Sequence, residues 1–306
     1  MTAHASSSPP RGRASLRATA IGGIAVVLWA ALAVLTTHTG AVPPLLMVAL
    51  SFGTAFAITL IKWLWRRESI GAHLRQPAGA WLLGVGGLFG YHFFYFVGLR
   101  NAPAVDASLI AYLWPLFIVL LSALLPGERL RWWHLAGAVC GLAGTFLLVT
   151  GGRGVSLRGE YLLGYGAAFV CSLTWSGYSV LNRRYTAVPT DAVGGMCAVT
   201  GALAVLCHLA FETTVWPSGV SEWLAVVALG VGPIGLAFFA WDYGTKHGDI
   251  RLLGVSSYAA PLLSTILLVT LGEAAATWHI AAACVLVVGG ALLASLELLR
   301  RMLGAG

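Results

Sequence analysis

The sequence predicts an all-α integral membrane protein of ten transmembrane helices, arranged as a 5+5 inverted-topology repeat around a central cavity. Three observations carry this. Of 306 residues, 58% are hydrophobic and only 9% are charged, where a soluble domain carries about a quarter charged residues. The apolar residues fall into ten runs near the ~20 residues a helix needs to cross a bilayer. The second half of the chain repeats landmarks of the first.

The runs cover about 18–36, 43–64, 78–99, 105–125, 132–150, 160–182, 191–211, 221–242, 250–271 and 278–299. Residues 1–17 are polar and basic and read as a disordered cytoplasmic arm. Followed by an apolar run, this arm could pass for a signal peptide, but that run takes part in the repeat. The connections are short, so no soluble domain is inserted. The five cysteines all lie in apolar runs without CxxC spacing, which speaks against a metal site or disulfides.

Basic residues set the orientation. The N-terminus, the loops after the even-numbered runs and the C-terminus hold 15 of the 18 lysines and arginines, from Arg11, Arg13 and Arg17 to Arg300 and Arg301. The opposite loops hold Arg100, Arg153 and Arg158. Positive residues stay in the cytoplasm, so both termini are expected there, and the net charge of +7 requires no nucleic acid. Trp63, Trp65, Trp81, Trp132, Trp133, Trp216, Trp223 and Trp278 sit near run ends, where amphipathic rings favour the membrane interface.

At an offset of 146 residues, Trp29 meets Trp175, Gly98 meets Gly244, Tyr112 meets Tyr258 and Pro115 meets Pro261. At 145, Gly127-Glu128 meets Gly272-Glu273, and Trp133-His134 meets Trp278-His279. The repeats are expected at 18–150 and 158–302. Five spans each is an odd number, so the second half enters the membrane inverted, an arrangement that places a substrate site near the midplane. Proline lacks an N–H and frees the carbonyl four residues back. Pro115 would free that of Ala111, and Pro261 that of Ser257. Inside a membrane such a carbonyl must face protein or a wet cavity, which makes Pro115 and Pro261 candidate hinges. A plain structural kink remains the alternative.

Polar and aromatic residues inside the runs are the candidate substrate contacts. They are Trp29, Tyr91, His92, Tyr95, Tyr112, Trp114, Trp175, Tyr178, Asn182, Trp241, Asp242, Ser257 and Tyr258. Tyr91 and Tyr95 share a helix face, and Trp175, Tyr178 and Asn182 form a stripe at helical spacing. Aromatic walls suit a substrate with an apolar body and polar ends, though each ring could equally fill the core. None of the eleven acids lies near the middle of a run. A neutral or zwitterionic substrate follows, with His92 and Asp242 left as the candidate proton carriers. Gly137, Gly141, Gly144, Gly289 and Gly290 read as close helix packing. No Walker loop, HExxH or GxSxG motif is present, so neither ATP drive nor an intramembrane hydrolase is supported, and no enzyme activity or cofactor is expected.

The repeated tryptophans and the paired Gly-Glu dipeptides resemble the drug/metabolite transporter superfamily, whose EamA-type members are ten-span inverted repeats. AYLWP at 111–115 and AWDYGTKHGDIRLLGVSSYAAPLLSTIL at 240–267 are similar to its aromatic amino acid exporters, known as YddG. The resemblance implies export of aromatic and other neutral amino acids from the cytoplasm. With it come a bacterial inner-membrane location, a small-molecule amino acid substrate, a lipid surround and a monomeric carrier. Two other readings stay open: a broad-specificity drug or metabolite exporter, and a non-transporting membrane sensor or scaffold.

Overall fold

Proline and glycine set where the helices of this chain begin and break. The computed structural model describes residues 11–126, 129–155 and 157–296. The Gly127-Glu128 dipeptide, the arm before residue 11 and the end of the repeat beyond 296 lie outside them. Among the described residues the secondary structure is helical, with no strand.

The helices are α1 (Arg11–Trp29), α2 (Leu32–Thr37), α3 (Pro44–Trp65), α4 (Ile70–Leu74), α5 (Ala78–Asn101), α6 (Ala104–Ala111), α7 (Trp114–Ser122) and α8 (Trp132–Thr150). Then follow α9 (Leu162–Leu181), α10 (Ala192–Phe211), α11 (Val220–Val231), α12 (Ala237–His247), α13 (Ile250–Ser256), α14 (Ala259–Thr270) and α15 (Trp278–Ala294). Eight helical segments are long and apolar enough to cross a membrane. They include the composite segments Ser15–Thr37, Ala104–Ser122, Val220–His247 and Ile250–Thr270. Helix α9 has 20 residues, its hydropathy lowered by Ser, Thr, Tyr, Trp and Gly. Helix α15 is apolar but has only 17.

Starts follow local chemistry. Pro43, Pro77 and Pro103 stand at the N-caps of α3, α5 and α6, where a missing N–H costs nothing. Asp249 caps α13, its carboxylate accepting from the amides of Arg251 and Leu252. Helix α1 begins at Arg11, inside the arm that composition assigns to disorder. That is a correction. The basic residues there continue the helix rather than interrupt it.

Both expected proline breaks are present, displaced toward the N-terminus. The fourth run divides at Tyr112–Leu113, with Pro115 in the first turn of α7. The ninth divides at Ser257–Tyr258, just before α14. The Ser257 carbonyl is not left open: it accepts from the Ala260 amide at 3.1 Å, a tightened turn across the break. The chain also breaks twice more than expected. The first run bends at Ala30–Ala31 between α1 and α2. The eighth carries a π-helical turn over Gly232–Leu236 around Pro233, a widened turn that accommodates the ring and recurs at functional sites.

Long-range packing joins helices from before residue 150 to helices from after 162: α1 with α12, α3 with α10, α5 with α9, and α8 with α15. Small residues allow these approaches. A Cβ on Gly137 of α8 would lie 2.5 Å from the Gly290 carbonyl oxygen of α15. The α3–α10 pair is fastened at both ends. Lys62 pairs with Asp191 at one end. At the other, Glu212 accepts from the first amides of α3, Leu45 at 3.1 Å and Leu46 at 3.3 Å, and pairs with His208 at 2.9 Å. An anion at a helix N-terminus complements its dipole.

The tryptophans correct one expectation. Trp65, Trp132, Trp216, Trp223 and Trp278 are exposed, but Trp63 is wholly buried and stacks on His73 at 4.7 Å. It serves packing between α3 and α4 rather than the interface.

Candidate functional site

The broken segments surround one cavity of about 730 Å³, within the ~300–1,000 Å³ typical of small-molecule sites. Its walls come from α1–α2, α3, α5, α6–α7, α9, α11 with the π turn, α12 and α14. One end is open: Thr36 and Thr37 at its rim are exposed. The other end closes on a group of indoles. Trp29 contacts Trp114, Trp175 and Trp241 at 6.0, 5.8 and 5.1 Å between ring centroids. Most of these contacts are edge-on or tilted, the favoured geometry for aromatic pairs.

Seven of the thirteen candidate contacts line the cavity: Trp29, Tyr91, His92, Tyr95, Tyr112, Trp114 and Trp175, with Pro261 beside them. Their polar atoms are held in place. Trp29 donates its indole N–H to the Pro233 carbonyl at 3.1 Å, which ties α1 to the π turn. Tyr91 and Tyr95 stack with planes 3° apart, and the Tyr95 hydroxyl meets Ser108 Oγ at 3.2 Å. His92 Nδ1 lies 2.7 Å from the Leu88 carbonyl. A carbonyl only accepts, so Nδ1 carries the proton and Nε2 is the bare acceptor of the neutral ring.

Six candidates lie elsewhere, each for a visible reason. Tyr178 is buried, its ring filling the space above Gly87 of α5. Trp241 belongs to the indole group but is wholly buried and outside the lining, donating to Ser179 Oγ at 3.0 Å. Asn182 and Asp242 are committed to each other at 2.9 Å. The Asp242 carboxylate also accepts from Thr190 at 2.7 Å and Lys246 at 2.9 Å. Lys246, which loop counting places in water, is 4% exposed. Ser257 turns back to the Leu253 carbonyl, and the Tyr258 ring seats against Gly141 of α8. Pro115 is buried in the first turn of α7.

The cavity also holds residues that sequence reasoning passed over. Phe238 stacks on Phe52 and touches the rings of Trp29, His92 and Trp175. Ser108, Thr36, Thr37 and Ser264 add hydroxyls, while Leu229, Pro233 and Ile234 line one wall from the eighth run. Pro233 in the middle of an apolar run was the available signal. No Asp, Glu, Lys or Arg is among the lining residues. The site can therefore take an apolar or aromatic body and hydrogen-bond its polar ends, with no fixed charge to neutralise an ion.

A multi-pass helical membrane protein with a central, charge-free aromatic cavity open at one end has the form of a small-molecule carrier. Comparison with known proteins gives the particular family. The EamA-like transporter family matches the chain twice, over residues 18–150 and 162–296, and the chain belongs to that family. It is 56% identical to the aromatic amino acid exporter YddG of Ancylobacter novellus, over 91% of this chain and 97% of that protein. The aromatic amino acid exporter YddG of Escherichia coli (strain K12) is 26% identical over 90% of this chain and 96% of that one. A crystal structure at 55% identity matches with a TM-score of 0.87, covering 92% of this chain and 98% of the other.

Proposed function

We propose that this protein exports aromatic, and other neutral, amino acids across the bacterial inner membrane as a secondary transporter working by alternating access. The observation that carries the reading is the aromatic cavity without a charged lining residue. An amino acid brings both charges with it as a zwitterion. Its side chain fits against indole and phenol rings, and its ends meet tyrosine, serine and threonine hydroxyls and His92. The relatives that export aromatic amino acids support this substrate class.

The same reading takes the chain as ten spans in two inverted five-helix repeats, 18–150 and 158–302, with both termini cytoplasmic. The double family match supports the duplication. The basic-residue count supports the orientation. The cavity then opens to the periplasm, and the indole group closes it toward the cytoplasm. Pro115 and Pro261 are hinges at the breaks in mated helices. One chain supplies every wall, so the carrier works as a monomer.

The test is flux in liposomes, with labelled tryptophan and labelled alanine, with and without a pH gradient. Saturable tryptophan flux that exceeds alanine flux is expected. A flat profile across unrelated compounds would turn the reading toward a broad exporter. No flux of any substrate from well-folded protein would return it to a sensor or scaffold.

A further inference from the structure

The closed end of the cavity is fastened by side-chain hydrogen bonds that join α12 to α9 and the segment after it. Trp241 of α12 donates to Ser179 of α9. Three positions on, just past the end of α9, Asn182 donates to Asp242 at 2.9 Å and to Thr245 at 3.2 Å. A carboxylate only accepts, so the Asn182 amide nitrogen must face it. Lys246 completes this contact from the next turn of α12 and also donates to the Val188 carbonyl at 3.0 Å, in the segment leading to α10.

The repeat gives each member a mate at the offset of 146. Ser179 and Trp241 correspond to Ala33 and Tyr95. Asn182 and Asp242 correspond to Thr36 and Phe96. All four mates line the cavity. One pair of helices is thus joined side chain to side chain at the closed end, while its counterpart stands apart with the cavity between at the open end. Ala33 and Phe96 carry no side-chain donor or acceptor. The mates of Ser179 and Asp242 therefore cannot reproduce at the open mouth the hydrogen bonds that tie the closed end to a buried ion pair.

We infer that the Ser179–Trp241 and Asn182–Asp242–Lys246 contacts form the cytoplasmic gate of the carrier and bias it, when empty, toward the outward-open state. This rests on the inverted-repeat, alternating-access reading given above. Trp241 and Asp242 act in transport through this gate and do not touch the substrate. The gate must part for the cavity to load from the cytoplasm. An unpaired buried charge is costly, so Asp242 and Lys246 must stay together on α12 while Asn182 and Thr190 are released. Their i,i+4 spacing on one helix permits this.

The test reads which side the cavity faces. Ser264 lines the cavity, and Ser264→Cys is labelled by a membrane-impermeant maleimide applied to either face of liposomes. Labelling of the five native cysteines is subtracted. The inward-open state is the minor one, so weakening the gate raises its population, and labelling from the cytoplasmic face, in proportion to the equilibrium constant. Hydrogen-bond energies translate to about two- to tenfold faster cytoplasmic labelling for Ser179→Ala, and tenfold or more for Asp242→Asn. General loosening of the fold would speed labelling from both faces, which separates a gate from mere support. Ser179→Ala removes a single hydroxyl and keeps a good helix former, so it serves if Asp242→Asn does not fold. A labelling rate within about twofold of the parent in every variant that folds would overturn the gate. Tryptophan flux by the unmodified protein is measured in parallel. Its absence strikes the transport reading, while normal flux with unchanged labelling strikes the gate alone.

Discussion

Adjacent glycines on α15 allow a clean measurement of how closely that helix is packed. Gly290 faces α8: a Cβ there would lie 2.6 Å from the Gly137 carbonyl oxygen and 3.1 Å from Cys140 Cβ. Gly289, one residue earlier, would place a Cβ with nothing within 4 Å. A carbon–oxygen contact needs about 3.3 Å, so Gly290→Ala must separate the helices by roughly 0.7 Å. The obstacle is backbone, which cannot swing aside as a side chain could. Overpacking of this kind costs about 1–3 kcal/mol. Both substitutions share whatever helix propensity alanine adds, up to about 1 kcal/mol, so it cancels between them. The difference between the variants is the clash alone. It corresponds to roughly 2–10 °C in melting temperature for a chain of this size, read by thermal scanning in detergent. Gly289→Ala should melt at or slightly above the parent temperature and transport normally, since its site is open and far from the cavity. Equal melting temperatures for the two variants would refute the packing of α15 on α8.

Three further outcomes are expected. Tyr95→Phe removes the hydroxyl that meets Ser108; loss of one hydrogen bond should raise the half-saturating tryptophan concentration about two- to tenfold, and an unchanged saturation curve would take Tyr95 out of the site. Glu212→Ala strips the first amides of α3 and His208 of their partner, which should cost about 1–3 kcal/mol in a denaturation assay without changing relative substrate preference. Asp249→Ala removes the α13 cap at a cost of about 1 kcal/mol. Burial works against the Asp249 charge, but Arg251 and two backbone amides hold its carboxyl below its ordinary value of 3.8. This contribution is therefore full above about pH 3.8 and fades as pH falls through the depressed value; melting curves of parent and variant should converge there, and a constant gap down to strong acid would contradict the cap.

Much of the architecture was legible in the sequence because membrane burial imposes length and apolarity, and duplication leaves landmarks in register. The aromatic positions nearest the cavity were legible for the same reason: a tyrosine or tryptophan deep in an apolar run needs a reason to be there. What periodicity could not supply was which partner each side chain would find. Asn182 and Asp242 look like substrate contacts because both are polar, yet they satisfy one another 60 residues apart in sequence. Trp63 and Trp65 are two residues apart, so one is buried and the other 85% exposed. The π turn was hidden because one proline in a long apolar run does not say whether the helix kinks, stops or widens.

On the inverted-repeat reading proposed above, the cavity also marks the place where substrate is held in transit. Most cavity residues have mates outside it, as Tyr112 lines the cavity while Tyr258 is packed on Gly141. The two family-matching halves therefore line the cavity differently, as the proposed alternating-access reading requires of a carrier that faces one side. Three mated pairs are exceptions, with both members in the lining: Trp29 with Trp175, His92 with Phe238, and Trp114 with Ala260. Trp29 touches Trp175 at 5.8 Å, and His92 touches Phe238 at 6.2 Å. A residue can touch its own mate only near the axis relating the halves. On that reading these side chains mark the axis, and they stay at the cavity floor when the halves exchange conformations. Substitutions there should impair binding from both faces alike, whereas substitutions at Thr36 or Ser264 near the open mouth should alter binding from one face only. Comparing half-saturation in right-side-out and inside-out vesicles separates the two classes. Equal one-sided effects from Trp29→Phe and Thr36→Val would place the substrate away from the axis.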